Sequence, residues 1–372
     1  MEYSGKDKKR VLHIFGILNR GGAETRTLEF IRRNQNAPII FDFIVLTGAK
    51  GVLDDDFRKL ISGEIYYMRL DRTFFFRYIN LLRRKKYDVV HSHVLLVSAL
   101  FLMIAYFLRV PVRLAHLRST GSEAKSKLRA MRDVFLKKVM LLFATNIVTV
   151  SESVARAIFG GGWSKHKKIT PIYNGFTLID NKAIKSNRKV KIGHIGRFDP
   201  SKNHTFLSEI YKLICDSDLD VVCTMTGRLD NNIYPAVVLS LKPWSDAGRV
   251  IIHSENSNIA EELKTYDILI TTSLWEGLPG VIIEAVSAGV PVIASGIEPN
   301  KEVASKITGV TIVEGWDKNE WTKQLIALIN KVKNADKAET VKRLQASFLE
   351  SPFYYANTDN EMLKIYQLQG IM

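Results

Sequence analysis

Short runs of β-branched and aromatic residues alternate with amphipathic stretches through the first half of the chain. Six runs have the length and composition of buried strands: KRVLHIFGI (9–17), FDFIVLT (41–47), YDVVHSH (87–93), PVRLAHLR (111–118), NIVTVSES (146–153) and KITPIYNGF (168–176). The stretch LNRGGAETRTLEFIRR after the first run predicts a helix that opens after two glycines. Strands separated by helices are typical of parallel βαβ units, so the pattern predicts an α/β domain.

The same pattern starts again near residue 189 and predicts a second α/β domain of about the same size. Its strand-like runs are RKVKIGHIG (188–196), DVVCTMTGR (220–228), RVIIHSE (249–255), DILITTS (267–273), PVIAS (291–295) and GVTIVE (309–314), with helices at IAEELKTY and PGVIIEAVSAG. A polar link at 175–188 separates the two patterns, which places the domains at 1–180 and 181–350, followed by a C-terminal helix in 351–372. We expect two Rossmann-like domains facing across a cleft at the carboxyl ends of their sheets, where α/β proteins bind ligands.

Composition is that of an ordinary cytoplasmic protein. The 372 residues include only two cysteines, Cys215 and Cys223, whose spacing fits no common metal site and predicts two reduced thiols in or near a core. The N-terminus lacks the long apolar region and cleavage site of a signal peptide. The most apolar stretch, Val94–Val110, is too short for a bilayer span and predicts a buried helix.

Charge is distributed unequally between the halves. The net charge is +15, and residues 1–170 hold 31 Lys and Arg against 14 Asp and Glu, whereas the remainder holds 22 against 24. This asymmetry favours an anionic partner for the first half, such as membrane phospholipid, a lipid phosphate or nucleic acid. The alternative is that the charge serves only solubility. Two stretches mix basic and apolar residues at helical spacing, RTFFFRYINLLRRKK (72–86) and KSKLRAMRDVFLKKVMLLF (125–143). Each could dock on an anionic membrane or could be an ordinary surface helix with a core side.

Several polar residues follow predicted strands of the first half. Gly21 and Gly22 lie between a strand and a helix, in a spacing that fits neither the dinucleotide fingerprint nor the P-loop. They form either a simple turn or a place where backbone approaches an anionic ligand. His91, His93 and His116 end two further strands, which predicts either structural histidines or a site at the cleft.

Two motifs of the second half carry more specific chemistry. GRFDPSKN (196–203) places Arg197 and Lys202 on one loop after a strand, a pair that suits a diphosphate. WEGLPGVIIEAVSAG (275–289) places Glu276 before a tight turn and Glu284 about one turn into the helix that follows. The backbone N–H groups of the turn can hold phosphate or sugar oxygens, and each carboxylate can accept sugar hydroxyl groups. Alternatively, the two glutamates are a capping residue and a surface residue of an ordinary helix.

Together these residues resemble retaining glycosyltransferases of family 4, which have the GT-B fold. The family hallmark, Glu-x(7)-Glu before a helix that ends in A-x-G-x-P-V-I-A, stands here as Glu276 to Glu284 followed by AVSAGVPVIAS. NRGGAE, DVVHSH, IYNG and GRFDPSKN also match in the family's order, so the resemblance covers nearly the whole chain. It is closest to bacterial enzymes that assemble exopolysaccharide, capsule or O-antigen units, and it implies a C-terminal helix that crosses back to the first domain.

The resemblance implies a role for each motif residue. Arg197 and Lys202 would bind the donor diphosphate, Glu284 the ribose, and His116 would lie beside the transferred sugar. Further donor contacts would come from Glu276 and the turn, and from two glycines of the opposing domain: Gly277, Leu278, Pro279, Gly280, Gly21 and Gly22. HLRST stands where relatives often read HSHN, and the acceptor-side candidates are His93, Arg118 and Ser119.

The leading hypothesis is therefore a metal-independent hexosyl- or N-acetylhexosaminyltransferase without a cofactor. It would move a sugar from a nucleotide donor, with UDP favoured, to a lipid-linked saccharide at the inner face of the cell membrane. Asp54–Asp56 is interpreted as a solvated charge run in a loop and not as a metal site. Two other classes stay open: a nucleotide-sugar epimerase, whose relatives lack this Glu-x(7)-Glu turn, and a nucleic-acid binder, for which the basic stretches lack a recognised motif.

Overall fold

The computed structural model describes residues 8–119, 126–181, 189–228, 233–253 and 258–367. The chain forms two compact units: residues 1–175 together with 356–372, and residues 176–355. Lys125 of the second basic stretch and residues 182–188 of the polar link between the two patterns lie outside the described residues.

The first unit is built on a parallel sheet of seven strands. The strands are β1 (Lys9–Phe15), β2 (Ile39–Val45), β3 (Ile65–Tyr67), β4 (Val89–Ser92), β5 (Val112–Leu117), β6 (Asn146–Thr149) and β7 (Ile169–Pro171). Their order across the sheet is β3-β2-β1-β4-β5-β6-β7, so the chain reverses its direction of travel between β1 and β4. The carboxyl ends of strands at such a reversal point are the usual ligand-binding position in an open α/β sheet.

Helices connect these strands, and the last helix of the chain returns to the same unit. They are α1 (Gly22–Arg33), α2 (Asp54–Leu60), α3 (Phe74–Lys85), α4 (Ser98–Phe107), α5 (Lys127–Phe143), α6 (Glu152–Phe159) and the C-terminal α14 (Tyr355–Ile365). Met362 and Leu363 of α14, with Tyr366 just after it, belong to the buried core of β1, β2 and α1. The Arg33 guanidinium donates two hydrogen bonds to the Asp359 carboxylate, at 2.7 and 2.9 Å, and so ties α1 to α14.

The second unit has a parallel sheet of six strands. The strands are β8 (Val190–Ile195), β9 (Val221–Thr226), β10 (Val250–His253), β11 (Ile268–Thr271), β12 (Val292–Ser295) and β13 (Val310–Val313). The helices are α7 (His204–Cys215), α8 (Tyr234–Asp246), α9 (Ile259–Lys264), α10 (Gly280–Ser287), α11 (Glu298–Ala304), α12 (Lys318–Asn334) and α13 (Lys337–Glu350). The strand order β10-β9-β8-β11-β12-β13 puts the reversal point between β8 and β11. The prediction of two Rossmann-like domains is confirmed.

Three smaller expectations have different outcomes. Asp54–Asp56 was expected in a solvated loop, and this is wrong: the three residues form the first turn of α2. Asp54 is buried, and its carboxylate accepts a hydrogen bond from the Gly51 N–H at 2.7 Å and another from the Tyr67 hydroxyl. Cys215 and Cys223 are free, buried thiols with their Sγ atoms 3.9 Å apart, as expected.

The apolar stretch Val94–Val110 forms α4, preceded by a 3-10 turn at Leu95–Val97. Phe101 and Leu102 of α4 are fully buried, as expected, although Phe107 at its end is 69% exposed. Among the described residues, no helix combines the length and the hydropathy needed to cross a bilayer.

Candidate active site

The site in the second unit lies at the reversal point of its sheet. Lys202 ends the loop that follows β8, and Glu276 lies in the loop that follows β11. The Lys202 ammonium forms an ion pair with Glu276 Oε1, and both side chains are mostly buried, with about 16% and 15% of their area exposed. The Leu274 N–H donates to the Ser201 carbonyl at 2.7 Å, so backbone contacts also join the two loops. The structure therefore brings together two residues that the sequence separates by 74 positions.

A network of buried hydrogen bonds holds Glu276 in place. The Ser273 hydroxyl donates to Glu276 Oε1 at 2.8 Å, and the Ser273 carbonyl accepts a hydrogen bond from the Ser295 hydroxyl at 2.6 Å. The Asn300 amide of α11 donates to the Ser295 carbonyl at 2.9 Å. Because Ser273, Ser295 and Asn300 are almost fully buried, these bonds hold the glutamate in one position. Sequence reasoning missed this network, and its signal was the run of hydroxyl residues TTS (271–273), which starts at the last residue of β11.

Arg197 occupies a more open position on the loop after β8. Its side chain is 63% exposed and its Nη2 lies 3.4 Å from Asp199 Oδ2. Asp199 also caps the short 3-10 turn Pro200–Lys202 by accepting from the Ser201 N–H at 2.9 Å. A Cβ atom on Gly227 would lie 1.8 Å from the Gly196 carbonyl oxygen, so glycine is required where the turns after β8 and β9 meet.

The turn between the two glutamates opens α10, as the sequence predicts. Pro279 occupies the N-cap position and is buried, and Gly280 is the first helical residue. Glu284 is the fifth residue of α10 and is half-buried. Gly277 and Leu278 are partly exposed in the turn itself. Thus the backbone N–H groups of a helix start lie on the same loop as Glu276, directly after β11.

A cluster of four imidazoles lies at the corresponding place in the first unit. His13 of β1 and His91 of β4 are cross-strand neighbours in the register, and His116 comes from β5. His91 Nε2 lies 3.1 Å from His116 Nδ1, and His13 Nδ1 lies 2.9 Å from His93 Nε2. His13, His91 and His116 are at most 3% exposed, whereas His93, just after β4, is half-buried and stacks on Phe15. Sequence reasoning singled out three of these rings and missed His13.

Arg118 and Tyr366 complete this cluster. The Arg118 guanidinium donates to the Asn174 side-chain oxygen at 2.9 Å and to the Thr27 hydroxyl at 3.2 Å, and it approaches His116 Nδ1 at 3.4 Å. The Tyr366 hydroxyl lies 2.6 Å from His91 Nδ1. Ser119, the neighbouring acceptor-side candidate, is exposed. Gly21 and Gly22 are exposed at the start of α1, in the connection that follows β1.

Burial sets the protonation of the cluster. It lowers the pKa of His13 to about 3, with the Arg118 charge as a second cause, and it lowers the pKa of His91, His93 and His116 well below the usual value. Burial also lowers the pKa of Arg118 to about 10, so its guanidinium is charged at neutral pH. The imidazoles are therefore neutral beside a fixed cation.

Three of these rings, His13, His91 and His93, have nitrogen atoms within 4.8 Å of one another and could hold a transition metal. A tetrahedral zinc site with Zn–N bonds near 2.1 Å needs nitrogens about 3.4 Å apart. The 2.9 Å contact between His13 and His93 would then have to open. A dication would also lie close to the Arg118 charge, so the arrangement favours hydrogen bonding between the rings over metal binding.

A cavity of about 890 Å³ in the second unit lies at the amino ends of the strands, opposite the Lys202–Glu276 pair. It is lined by Val190 and Val310, the first residues of β8 and β13, and by Pro291 before β12. Because ligands of open α/β sheets bind at the carboxyl ends of the strands, we place the active site at Lys202 and Glu276 and not in this cavity.

Comparisons with known proteins agree with the geometry. Residues 20–178 match the domain family Glycosyltransferase Family 4, and residues 189–331 match Glycosyl transferases group 1. The chain is 32% identical over 302 residues to the capsular polysaccharide biosynthesis glycosyltransferase CapH of Staphylococcus aureus, covering 79% of this chain and 83% of that protein. It is 27% identical over 242 residues to the UDP-Gal:alpha-D-GlcNAc-diphosphoundecaprenol alpha-1,3-galactosyltransferase of Escherichia coli, covering 59% and 60% of the two chains.

The fold matches solved structures over almost its full length. The structure of Anabaena Alr3699/HepE in complex with UDP and glucose superposes with a TM-score of 0.76 at 16% identity, covering 96% of this chain and 99% of that one. The matches favour a glycosyltransferase over the epimerase and the nucleic-acid binder. The GT-B fold, the two matched domain families and the similarity to CapH show that the chain is a glycosyltransferase belonging to family 4.

Proposed function

We propose that this protein is a retaining, metal-independent glycosyltransferase of bacterial surface polysaccharide biosynthesis. It would transfer a hexose or N-acetylhexosamine from a nucleoside-diphosphate sugar, with UDP favoured, to a lipid-linked saccharide. The observation that carries the proposal is the Lys202–Glu276 pair at the reversal point of the second sheet. The relative from Escherichia coli, named for a UDP-galactose donor and a diphosphoundecaprenol-linked acceptor, supports the donor and acceptor classes.

Charge complementarity supports the donor site. Lys202 supplies a point charge and Arg197 a planar, exposed guanidinium on the same loop, which together suit the two phosphates of a donor. These cations can neutralise the leaving diphosphate, the part that a divalent metal plays in other transferases. Glu276, with the N–H groups of Gly277 and Leu278, would hold the donor sugar, and Glu284 the ribose. Pro279 and Gly280 shape the turn that carries these groups.

The first unit supplies the remaining proposed contacts. His116 would act on the transferred sugar, and His93, Arg118 and Ser119 on the acceptor. Gly21 has an extended backbone (φ −142°), and a Cβ atom on Gly22 would meet nothing within 4 Å. A Cβ atom on Gly21 would lie 2.5 Å from Glu24 Oε2, the end of a flexible side chain that would have to move. Because the fold does not require glycine at Gly22, close approach by the donor is a reason for glycine at that position.

Loss of a donor-site charge should weaken nucleotide binding. Lys202→Ala, Arg197→Ala and Glu284→Ala should each cost about 1.5–3 kcal/mol, the value of one charge-assisted contact, and so raise the Kd for UDP about tenfold or more. Lys202→Ala should have the largest effect, because it also leaves the Glu276 charge unpaired beside the diphosphate. Isothermal titration calorimetry with UDP and GDP measures this.

The matched control for this titration is Lys264→Ala, which removes a lysine paired with Glu261 on α9 at 2.7 Å. Its Kd should equal that of the wild-type protein. If all three donor-site variants are folded and bind UDP as the wild-type protein does, the donor site has been placed wrongly.

We further propose that the first unit docks on the inner, anionic face of the cell membrane through α5. Four apolar side chains of this helix recur at helical spacing on its solvent side: Leu128, Met131, Phe135 and Leu142, which are 61–78% exposed. Phe107 of α4 lies beside them, with its ring 5.8 Å from that of Phe143. We call these five residues the α5 face. Lys127, Arg129, Arg132 and Lys138 of the same helix are exposed and would meet lipid phosphates.

The other basic stretch has a different structure. The apolar residues Phe74, Tyr78, Leu81 and Leu82 of α3 are buried in the first unit, which is the ordinary arrangement of a surface helix. Phe76 is its one strongly exposed aromatic side chain. The structure thus favours α5 over α3 as the docking helix.

Polar substitution on the α5 face should release the protein from vesicles. Met131→Ser with Phe135→Ser should reduce binding to anionic vesicles about a hundredfold or more, because each of the two inserted apolar side chains contributes about 1.5–3 kcal/mol. Cosedimentation with anionic and neutral vesicles, at low and high salt, measures this. Phe76→Ser on α3 is the matched control and should pellet like the wild-type protein. Equal pelleting of the wild-type protein with both lipids, or none with either, contradicts the docking proposal.

A further inference from the structure

A chain of hydrogen bonds links the C-terminal segment to His116. Tyr366 lies just after α14 and is 1% exposed, and its hydroxyl is 2.6 Å from His91 Nδ1. The other nitrogen of the same ring, His91 Nε2, is 3.1 Å from His116 Nδ1. The far nitrogen, His116 Nε2, has no hydrogen-bond partner among the described residues and is buried. The distances alone leave open which atom donates in each bond, because a neutral imidazole can donate from either nitrogen.

The contact with Arg118 indicates which atoms donate in this chain of hydrogen bonds. A guanidinium has only donor groups, and its Nη2 approaches His116 Nδ1 at 3.4 Å. His116 Nδ1 must therefore accept, and the proton of this neutral ring lies on Nε2. It follows that His91 Nε2–H donates to His116, that His91 Nδ1 accepts, and that the Tyr366 hydroxyl donates to His91. Each ring then carries one proton, as a neutral imidazole requires.

We propose that Tyr366 is a positioning residue that acts through His91 to hold His116 as its Nε2–H tautomer, so that His116 serves as a hydrogen-bond donor to a sugar oxygen and not as a general base. This inference rests on the proposed role of His116 at the sugar. It gives the C-terminal segment the function of fixing the proton position on His116, in addition to packing. Tyr366 is 250 positions from His116 in the sequence.

An ordinary structural role for Tyr366 makes a different prediction. Its ring packs edge-on against Phe30, at 6.2 Å, within the core of the first unit. Tyr366→Phe keeps this ring and removes only the hydroxyl donor. If packing is the whole role, this variant should change neither the tautomer of His116 nor the rate. The Arg118 contact, at 3.4 Å, is longer than an ordinary hydrogen bond and is too weak to fix the His116 ring alone. If the Tyr366 hydroxyl is needed as well, its loss leaves His91 Nδ1 as a buried acceptor without a donor, and both rings can exchange tautomers.

The test is nitrogen NMR on protein labelled with ¹⁵N-histidine, in which the protonated and unprotonated ring nitrogens of an imidazole have well-separated shifts. His116→Gln identifies the His116 signals by their loss. In the wild-type protein, His116 should show a protonated Nε2 and a bare Nδ1 throughout the neutral pH range. In Tyr366→Phe, a second tautomer should appear, and kcat should fall several-fold with little change in the KM for the donor.

Tyr78→Phe is the matched control, because Tyr78 is another fully buried tyrosine of this unit, with its hydroxyl donating to the Phe101 carbonyl at 3.2 Å. It should lose stability without changing the His116 signals or kcat. A wild-type spectrum with the proton on His116 Nδ1 overturns the proposal, even if Tyr366→Phe does not fold. So does a folded Tyr366→Phe with wild-type signals. If the tautomer changes and kcat does not, the hydrogen-bond chain from Tyr366 to His116 is confirmed, but the proposed role of His116 at the sugar is wrong.

Discussion

Glu276→Gln and His116→Ala are each expected to lower kcat by about two to three orders of magnitude, the usual effect of removing one electrostatic contact to a transition state. The affinity for UDP should change much less. In the proposed mechanism both residues act on the sugar, and their contacts strengthen as the glycosidic bond breaks. Glu276→Gln keeps the shape of the side chain but removes the charge that pairs with Lys202. Steady-state kinetics at saturating donor, with calorimetry for UDP, separates the two quantities.

The second unit offers a matched control for this comparison. Glu261→Gln is the matched control, because this exposed glutamate pairs with Lys264 in the same unit, as Glu276 pairs with Lys202. Its kcat should equal that of the wild-type protein. A Glu276 or His116 variant that loses UDP binding but keeps its turnover at saturation would show that the residue belongs to the nucleotide site and not to the sugar site.

Mild acid is expected to destabilise the protein steeply, beginning just below the ordinary histidine pKa. Burial lowers the pKa of six histidines in the fold: His13, to about 3, His204, to about 4, and His91, His93, His116 and His194, well below the usual value. As pH falls below about 6.5, the unfolded chain takes up protons that the folded chain does not. The free energy of unfolding therefore falls with decreasing pH, by up to about 1.4 kcal/mol per pH unit for each such histidine.

Urea denaturation followed by circular dichroism between about pH 7 and pH 5 measures this slope above the range in which carboxylates titrate. His204→Phe should reduce the slope by up to about 1.4 kcal/mol per pH unit, the contribution of one histidine. His204 stacks on Phe198 at 4.2 Å, and a phenyl ring can keep that contact. A denaturation midpoint that is flat across this range would contradict the neutral state of the histidine clusters.

Most of the fold could be predicted because buried parallel strands have a strong sequence signal. All twelve predicted strands are present, each within a run rich in β-branched and other apolar residues. The three-residue edge strand β3, Ile65–Tyr67, was missed, whereas the equally short edge strand β7 was recognised from the longer apolar run 168–176 that contains it. The two basic stretches could not be told apart, since spacing alone does not show whether the apolar side of a helix faces the core, as in α3, or the solvent, as in α5.

Site residues that directly follow strands could be predicted from the sequence. Contacts that only the tertiary structure creates could not. Lys202 and Glu276 could each be picked out from a motif, but only the adjacency of β8 and β11 brings them into contact. Tyr366 carries no local signal, because its contact with His91 joins residues 275 positions apart. His13 lies inside a strand and has the appearance of a core residue, so its part in the histidine cluster appears only in the register of β1 and β4.

The most direct test of the central claim is sugar transfer by the purified protein. Radiolabelled UDP- and GDP-sugars are incubated with bacterial membranes that contain lipid-linked saccharides, in the presence of a metal chelator, and label is counted in the solvent-extracted lipid. We expect transfer from at least one UDP-sugar, loss of transfer with Lys202→Ala, and normal transfer with Lys264→Ala. Folded wild-type protein that transfers no sugar from any donor, or Lys202→Ala that transfers as well as the wild-type protein, would contradict the account.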